Sequence, residues 1–330
     1  MLILNRAAVA QSLSHAQCVD VLGPTMQAVS RGDIDMPLRQ FMAIPDTKGK
    51  MAVMPGYVGK RSPDDPPVFG VKIVSKFPRQ PDSPHSSHVG AVMLFDAAEG
   101  LPVALLDGAE LTAIRTAAAS ALATRALARE GSGTLVLLGC GEEARHHIQA
   151  IRSVRPISQV IVWGRNPERA HMFAAQQTSA GDLDIQVETD PQKAVQQADV
   201  LCTVTSSPEP ILKGEWLQPG MHVNLVGAAV KASAEADTEV VKRSRFYVDY
   251  LPSALAQAGE LLNTIEAGVV TKDHVLGEIG AVLGGDVEGR RSDDDITVYK
   301  SLGVSAQDLA AGLCAVSNAQ KNGIGTDVDW

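Results

Sequence analysis

Two rhythms of apolar and polar positions divide the chain. Through residue 115 the apolar runs are short and bounded by Gly, Pro or Asp, notably 51–54, 69–74 and 91–95. Runs of that kind predict strands of a mixed sheet. Segments 62–67 and 78–87, rich in Pro, Asp and Ser, predict surface loops. Residues 111–130 are Ala-rich and free of Gly and Pro, which predicts one long helix connecting two domains. From Gly133 onward the runs 134–138, 157–163, 199–205, 221–226, 246–249 and 296–299 set a strand–helix–strand rhythm. That alternation predicts a parallel sheet with helices on both faces. Residues 253–268 predict a helix stopped by Gly268, and 306–321 a final amphipathic helix. The last helix follows the closing strand of the alternation and is expected to return to the first domain.

The run 134–138 leads directly into Gly139-Cys140-Gly141-Glu142-Glu143-Ala144. A strand, a tight glycine turn and a helix N-terminus form the device that holds a dinucleotide pyrophosphate. Gly139 allows the turn, Gly141 lets the backbone approach the phosphates, Ala144 keeps the helix close to the strand, and Glu142 lies within the binding turn. A glycine turn that serves only chain reversal is the alternative. Thr205 and Ser206, at a strand's carboxyl end, are placed to line the same crevice. The second strand ends not in Asp or Glu but in Gly164-Arg165-Asn166-Pro167-Glu168-Arg169. A carboxylate there would accept from ribose hydroxyls and repel a 2′-phosphate, whereas guanidinium binds that phosphate through forked hydrogen bonds. NADP(H) is therefore favoured over NAD(H), with Arg165 as main contact and Asn166 and Arg169 beside it. A surface turn with two solvated arginines is the bland reading.

Composition narrows the class further. The 330 residues suffice for two domains, and 45% hydrophobic content with only 4% aromatics implies a core of Ala, Val, Leu and Ile. A net charge of −9 leaves no footprint for nucleic acid or an anionic membrane. Cys18, Cys140, Cys202 and Cys314 lack paired metal spacing and read as reduced thiols. No apolar run reaches membrane-spanning length, and the N-terminus has no basic region followed by an apolar signal core. A cytoplasmic enzyme without a metal is expected.

Several segments resemble the ornithine cyclodeaminase and mu-crystallin family across almost the whole chain. They are Gly70-Val71-Lys72-Ile73-Val74, residues 111–120 around Arg115, the glycine turn, residues 205–210, 222–227, and Ser301-Leu302-Gly303 followed by Asp308. The Arg115 segment and the proline-bearing loop at Ser207 are the most specific, because a generic nucleotide fold requires neither. The resemblance implies an α/β protein. Its Rossmann-type doubly wound nucleotide domain, residues 118–304, is inserted in a discontinuous α+β substrate-binding and dimerisation domain, residues 1–117 and 305–330. It implies a homodimer and hydride chemistry on α-amino or α-imino acids. Val226, Gly227, Ser301 and Gly303 fall among the implied cofactor contacts. Thr116 is a further one, and Arg115 serves both cofactor and substrate.

Arg39 and Arg115 match the family's carboxylate binders, and Lys72 its central lysine. A partly desolvated lysine has its pKa lowered toward a range useful for proton transfer; the bland alternative is a snorkelling strand-edge lysine. One of His85 and His88 is placed to face substrate, His88 being nearer its strand, against the reading of a solvated loop histidine. Asp293-Asp294-Asp295 reads as a solvated turn. Asp308 either matches the family's active-site aspartate or caps the last helix. Cyclodeaminases carry an Asp two residues beyond the glycine matching Gly227, where this chain has Ala229. A methyl group neither accepts a proton nor holds an ammonium, which disfavours cyclodeamination. The expectation is a ketimine reductase using NADPH on Δ1-pyrroline-2-carboxylate or Δ1-piperideine-2-carboxylate. An alanine-dehydrogenase-like enzyme, an ornithine cyclodeaminase and a non-catalytic crystallin-like NADPH carrier follow in that order.

Overall fold

A computed structural model describes residues 1–60, 66–78, 86, 88–178 and 183–329. Most of the loops expected at 62–67 and 78–87 lies outside these residues, as does His85. The chain forms two compact units, Met1–Arg115 with Val304–Trp330, and Thr116–Gly303.

The first unit contains β1 (Leu2–Leu4), β2 (Ile34–Asp35), β3 (Gln40–Ala43), β4 (Lys50–Val58), β5 (Val68–Lys76), β6 (His88–Asp96) and β7 (Pro102–Asp107). Strands β4 to β7 pair antiparallel in sequence order, while β1 joins β7 in parallel, so the sheet is mixed. The apolar patterns mark only the centres of β4, β5 and β6. Their ends carry Lys50, Lys76 and His88, which continue the ladder in one row. One face of these strands, with Ala52, Met54, Val68, Val92 and Leu94 buried, lies under the helix Ser305–Asn322. That helix also packs on the helix His15–Arg31. Caught between sheet and helix, it buries every residue from Ser305 to Gly312, so the amphipathic pattern expected for it fails over its first half.

Two glycines let this helix approach. Gly56 and Gly70 stand opposite each other on β4 and β5. A Cβ on Gly56 would meet Ser305 Oγ at 2.6 Å, and one on Gly70 would meet Leu309 Cδ2 at 2.9 Å and the Met93 carbonyl oxygen at 2.3 Å. The opposite face of the sheet stays apolar and open. Tyr57, Phe69, Ile73 and Val89 are exposed there, and Phe69 stacks on Phe95 at 5.1 Å.

The second unit contributes β8 (Thr134–Leu138), β9 (Gln159–Trp163), β10 (Asp184–Val187), β11 (Val200–Thr203), β12 (His222–Leu225), β13 (Arg245–Val248), β14 (Val275–Glu278) and β15 (Thr297–Lys300). Among the described residues they pair in the order β10-β9-β8-β11-β12-β15-β13-β14, all parallel. Strand order reverses between β8 and β11, which makes this a Rossmann-type doubly wound sheet with its switch point beside the glycine turn. Finally, β16 (Thr326–Asp327) pairs antiparallel with β1 in the first unit.

The single helix expected at 253–268 is in fact two, Leu251–Gln257 and Gly259–Glu266. Ala258 between them is extended, with ψ at 93°. Gly259 is pressed against the Ser233 carbonyl oxygen, which a Cβ would meet at 2.0 Å, and the break makes room for that approach. Edge strands β10 and β14 were not apparent as apolar runs because their exposed outer sides admit polar residues. Among the described residues no helix is long and apolar enough to cross a membrane.

Candidate active site

Lys72 lies in the middle of β5 on the face covered by the helix Ser305–Asn322. With Ser305 over Gly56 and Leu309 over Gly70, Asp308 of that helix arrives above the lysine. Asp308 Oδ1 accepts from Lys72 Nζ at 2.9 Å and from Arg115 Nε at 2.9 Å. Arg115 Nη1 donates to Gln307 Oε1 at 3.1 Å. Lys72 is 3% exposed, Arg115 5% and Asp308 0%, so this is a buried charged centre. Of the two readings of Asp308, the helix cap is excluded: Val304 is the N-cap residue, and the carboxylate turns into the cluster instead. Its second oxygen, Oδ2, is buried without a hydrogen-bond partner.

Burial sets the proton affinities here. It lowers the Lys72 ammonium to about 8, with Arg115 pushing the same way and Asp308 opposing. Burial alone would raise Asp308, but the Arg115 and Lys72 charges outweigh it and hold the carboxyl below the usual carboxylate range. The centre thus combines an anionic acceptor, a guanidinium and an ammonium that gives up its proton more readily than an ordinary lysine.

Of the other residues expected at the substrate, Arg39 is half-buried and adds its charge to both Lys72 and Lys76. His88 is the first residue of β6 rather than a solvated loop residue. Burial and the cations Lys76, Lys72, Arg115 and Lys50 lower its imidazole to about 3, so it is neutral at physiological pH.

The residues expected at the cofactor gather, with few exceptions, beyond the carboxyl ends of parallel strands. Gly139 follows β8 with φ +130°, where a side chain would also strike the Val204 carbonyl oxygen at 2.7 Å. Gly141 caps the helix Glu142–Arg152 without a side-chain bond, and a Cβ there would meet open space. This is a cradle that fits a pyrophosphate. Glu142 starts that helix, and the buried Ala144 packs beneath. Exposed Arg165 and Arg169 follow β9, with Asn166 Oδ1 accepting from the Arg169 amide at 3.1 Å. Thr205 and Ser206 follow β11, Val226 and Gly227 follow β12, and Ser301 and Gly303 follow β15. Thr116 is buried within the helix Gly108–Leu127. Arg115, assigned to both ligands, donates to Asp308 from Nε and to Gln307 from Nη1.

Two buried carboxylates that had no sequence signal tie the strand-end loops together. Glu235 accepts from the Thr205 amide and hydroxyl at 2.8 and 2.6 Å, the Thr203 hydroxyl at 2.8 Å and the Gly227 amide at 2.6 Å. Asp249 Oδ2 accepts from the Leu302 and Gly303 amides, each at 2.7 Å. Glu235 lies 30 residues from Thr205 and Asp249 lies 53 from Leu302, so no local motif announces either pairing.

Comparison with known proteins agrees with this geometry. Residues 1–322 match the profile described as ornithine cyclodeaminase/mu-crystallin family. The chain is 34% identical over 264 residues to Δ1-pyrroline-2-carboxylate reductase of Bacillus cereus, covering 80% of this chain and 81% of that protein. It is 34% identical over 280 residues to the ketimine reductase mu-crystallin of Mus musculus, covering 85% and 84%. Among solved structures, Thermococcus litoralis Δ1-pyrroline-2-carboxylate reductase with NADH and L-proline superposes with a TM-score of 0.93 at 29% identity, covering 99% of this chain and 100% of that one.

Proposed function

The chain belongs to the ornithine cyclodeaminase/mu-crystallin family, and from that premise we propose that it reduces a cyclic α-imino acid. Δ1-Pyrroline-2-carboxylate or Δ1-piperideine-2-carboxylate would give proline or pipecolate. The observation that carries this reading is the unpartnered Asp308 Oδ2, fully buried beside Lys72 and Arg115. A buried carboxylate oxygen without a donor is costly, and a protonated imine N–H supplies the donor it lacks.

A bound reduced nicotinamide supplies the hydride for the imine carbon. The chain's own residues do the rest. Arg39 and Arg115 receive the substrate carboxylate, and fixing it removes much of the entropic barrier. Lys72 gives its proton to the imine nitrogen, and Asp308 Oδ2 accepts the resulting N–H. The C=N bond gains one hydride and one proton, and the neutral Lys72 recovers its proton from solvent. NADPH or NADH oxidation with each purified imine tests the assignment, and no turnover with any of them ends it. Pyruvate with ammonia separates an alanine-dehydrogenase-like activity, which would use the same clamp on an open chain. Ala229 still disfavours cyclodeamination, since that position offers the substrate amines no acceptor.

NADP(H) is the preferred cofactor in this reading, because Arg165 and Arg169 follow β9 where a carboxylate would select NAD. Arg165→Ala is expected to raise KM for NADPH by roughly 10–100-fold, the value of one charge-assisted bond, while KM for NADH moves less than about threefold. Equal effects on both cofactors would remove the preference.

The open apolar face of β4, β5 and β6 is the surface we assign to a homodimer, since exposed apolar patches of this kind mark interaction sites. Sedimentation is expected to give twice the chain mass of 34.8 kDa. A monomer at micromolar concentration would contradict it.

A further inference from the structure

One end of the sheet that carries Lys72 holds more positive charge than a single carboxylate requires. Lys50, Lys76 and His88 pair in register across β4, β5 and β6. Side chains alternate faces along a strand, so Lys76, four residues beyond Lys72, projects from the same face. Between the two rows stand Ala52, Val74 and Gly90, none larger than valine. Arg39 lies near enough to both rows to act on Lys72 and on Lys76. His88 in turn feels Lys76, Lys72, Arg115 and Lys50. Five cations therefore share this region with the carboxylate of Asp308.

Asp308 is already committed to Lys72 and Arg115. Lys50 lies over the Phe41 ring at 5.3 Å, and neither it nor Lys76 has a carboxylate partner among the described residues. Burial and the charges of Lys50 and Arg39 lower the Lys76 pKa, which records an uncompensated site. Crowding half-buried like charges is unfavourable unless an anion joins them. One α-carboxylate engages the Arg39 and Arg115 pair and leaves Lys50 and Lys76 unanswered.

We propose that Lys76 and Lys50, with Arg39 shared between the rows, form a second anion subsite, and that the imine reduced here carries a second carboxylate. The proposal rests on the imine-reductase reading and narrows its substrate class to imino dicarboxylates. A matched pair tests it: Δ1-piperideine-2-carboxylate and Δ1-piperideine-2,6-dicarboxylate share a ring and differ by one carboxylate. The wild-type protein is expected to show kcat/KM at least about tenfold higher for the dicarboxylate, the worth of one charge-assisted contact. Lys76→Met should lower that ratio about tenfold or more, and Lys50→Met, a second variant on a different strand, should lower it in the same direction. A wild-type ratio below about threefold, or a ratio that both variants leave unmoved, overturns the subsite while the imine-reductase reading stands. Turnover of neither compound overturns both.

Discussion

Lys72→Met is expected to lower kcat for imine reduction by about 10²–10⁴-fold, the usual contribution of a positioned general acid. Methionine has nearly the volume of the lysine stem, and Asp308 keeps its 2.9 Å contact with Arg115, so the fold should persist. Cofactor affinity, measured by fluorescence titration, should change less than about twofold. A variant that binds NADPH and retains turnover would remove Lys72 from the chemistry. The pH profile gives the same assignment a second test. Reduction needs the ammonium form, whose pKa is about 8, so the rate should hold steady below that value. Above it, the rate should fall about tenfold per pH unit as Lys72 loses its proton. Amine oxidation needs the neutral form and should rise through the same pH. A reductive rate that stays flat to pH 10 would contradict the role.

The second large effect concerns Asp308. Asp308→Ala leaves Lys72 and Arg115 as adjacent buried cations without their shared acceptor. Breaking a buried pair in this way costs about 3–5 kcal/mol, which the urea midpoint should register. An unchanged midpoint would show that the cluster adds nothing to the fold. Asp308→Asn keeps the shape and removes the charge, so it tests the chemistry if the alanine variant fails to fold. Asp308 opposes the depression of the Lys72 pKa. Without its charge the ammonium should titrate below about 8, moving the reductive pH limb to lower pH. A limb that stays in place would separate Asp308 from proton transfer.

The nucleotide unit was the most legible part of the sequence. Its central strands are buried on both faces, so they read as continuous apolar runs, and the Gly139 turn needs a positive φ that marks itself by residue type. The centres of β4, β5 and β6 were visible because their open face is apolar as well as their covered one. Their charged ends were not, because Lys50, Lys76 and His88 look like loop residues until their register is known. Helix patterning failed where packing overrode it. Ala258 breaks a continuous helical signal so that Gly259 can meet the Ser233 carbonyl, a partner remote in sequence.

By itself the sequence determined the strand–helix alternation, the glycine cradle, the absence of a carboxylate after β9, and Lys72, Arg39 and Arg115 as candidates. The first three are local, since residue type and spacing suffice to state them, and the three cations were marked by the segments that resemble the family. Only the tertiary structure decided that Asp308 faces Lys72 and Arg115 rather than capping its helix. Tertiary packing also made Glu235 and Asp249 the anchors of the strand-end loops, and joined Lys76 to Lys50 in one cationic row. Those outcomes depend on helix approach and strand register, which bring together groups separated by tens to hundreds of residues. Burial then sets their proton affinities, and burial is a property of the assembled fold.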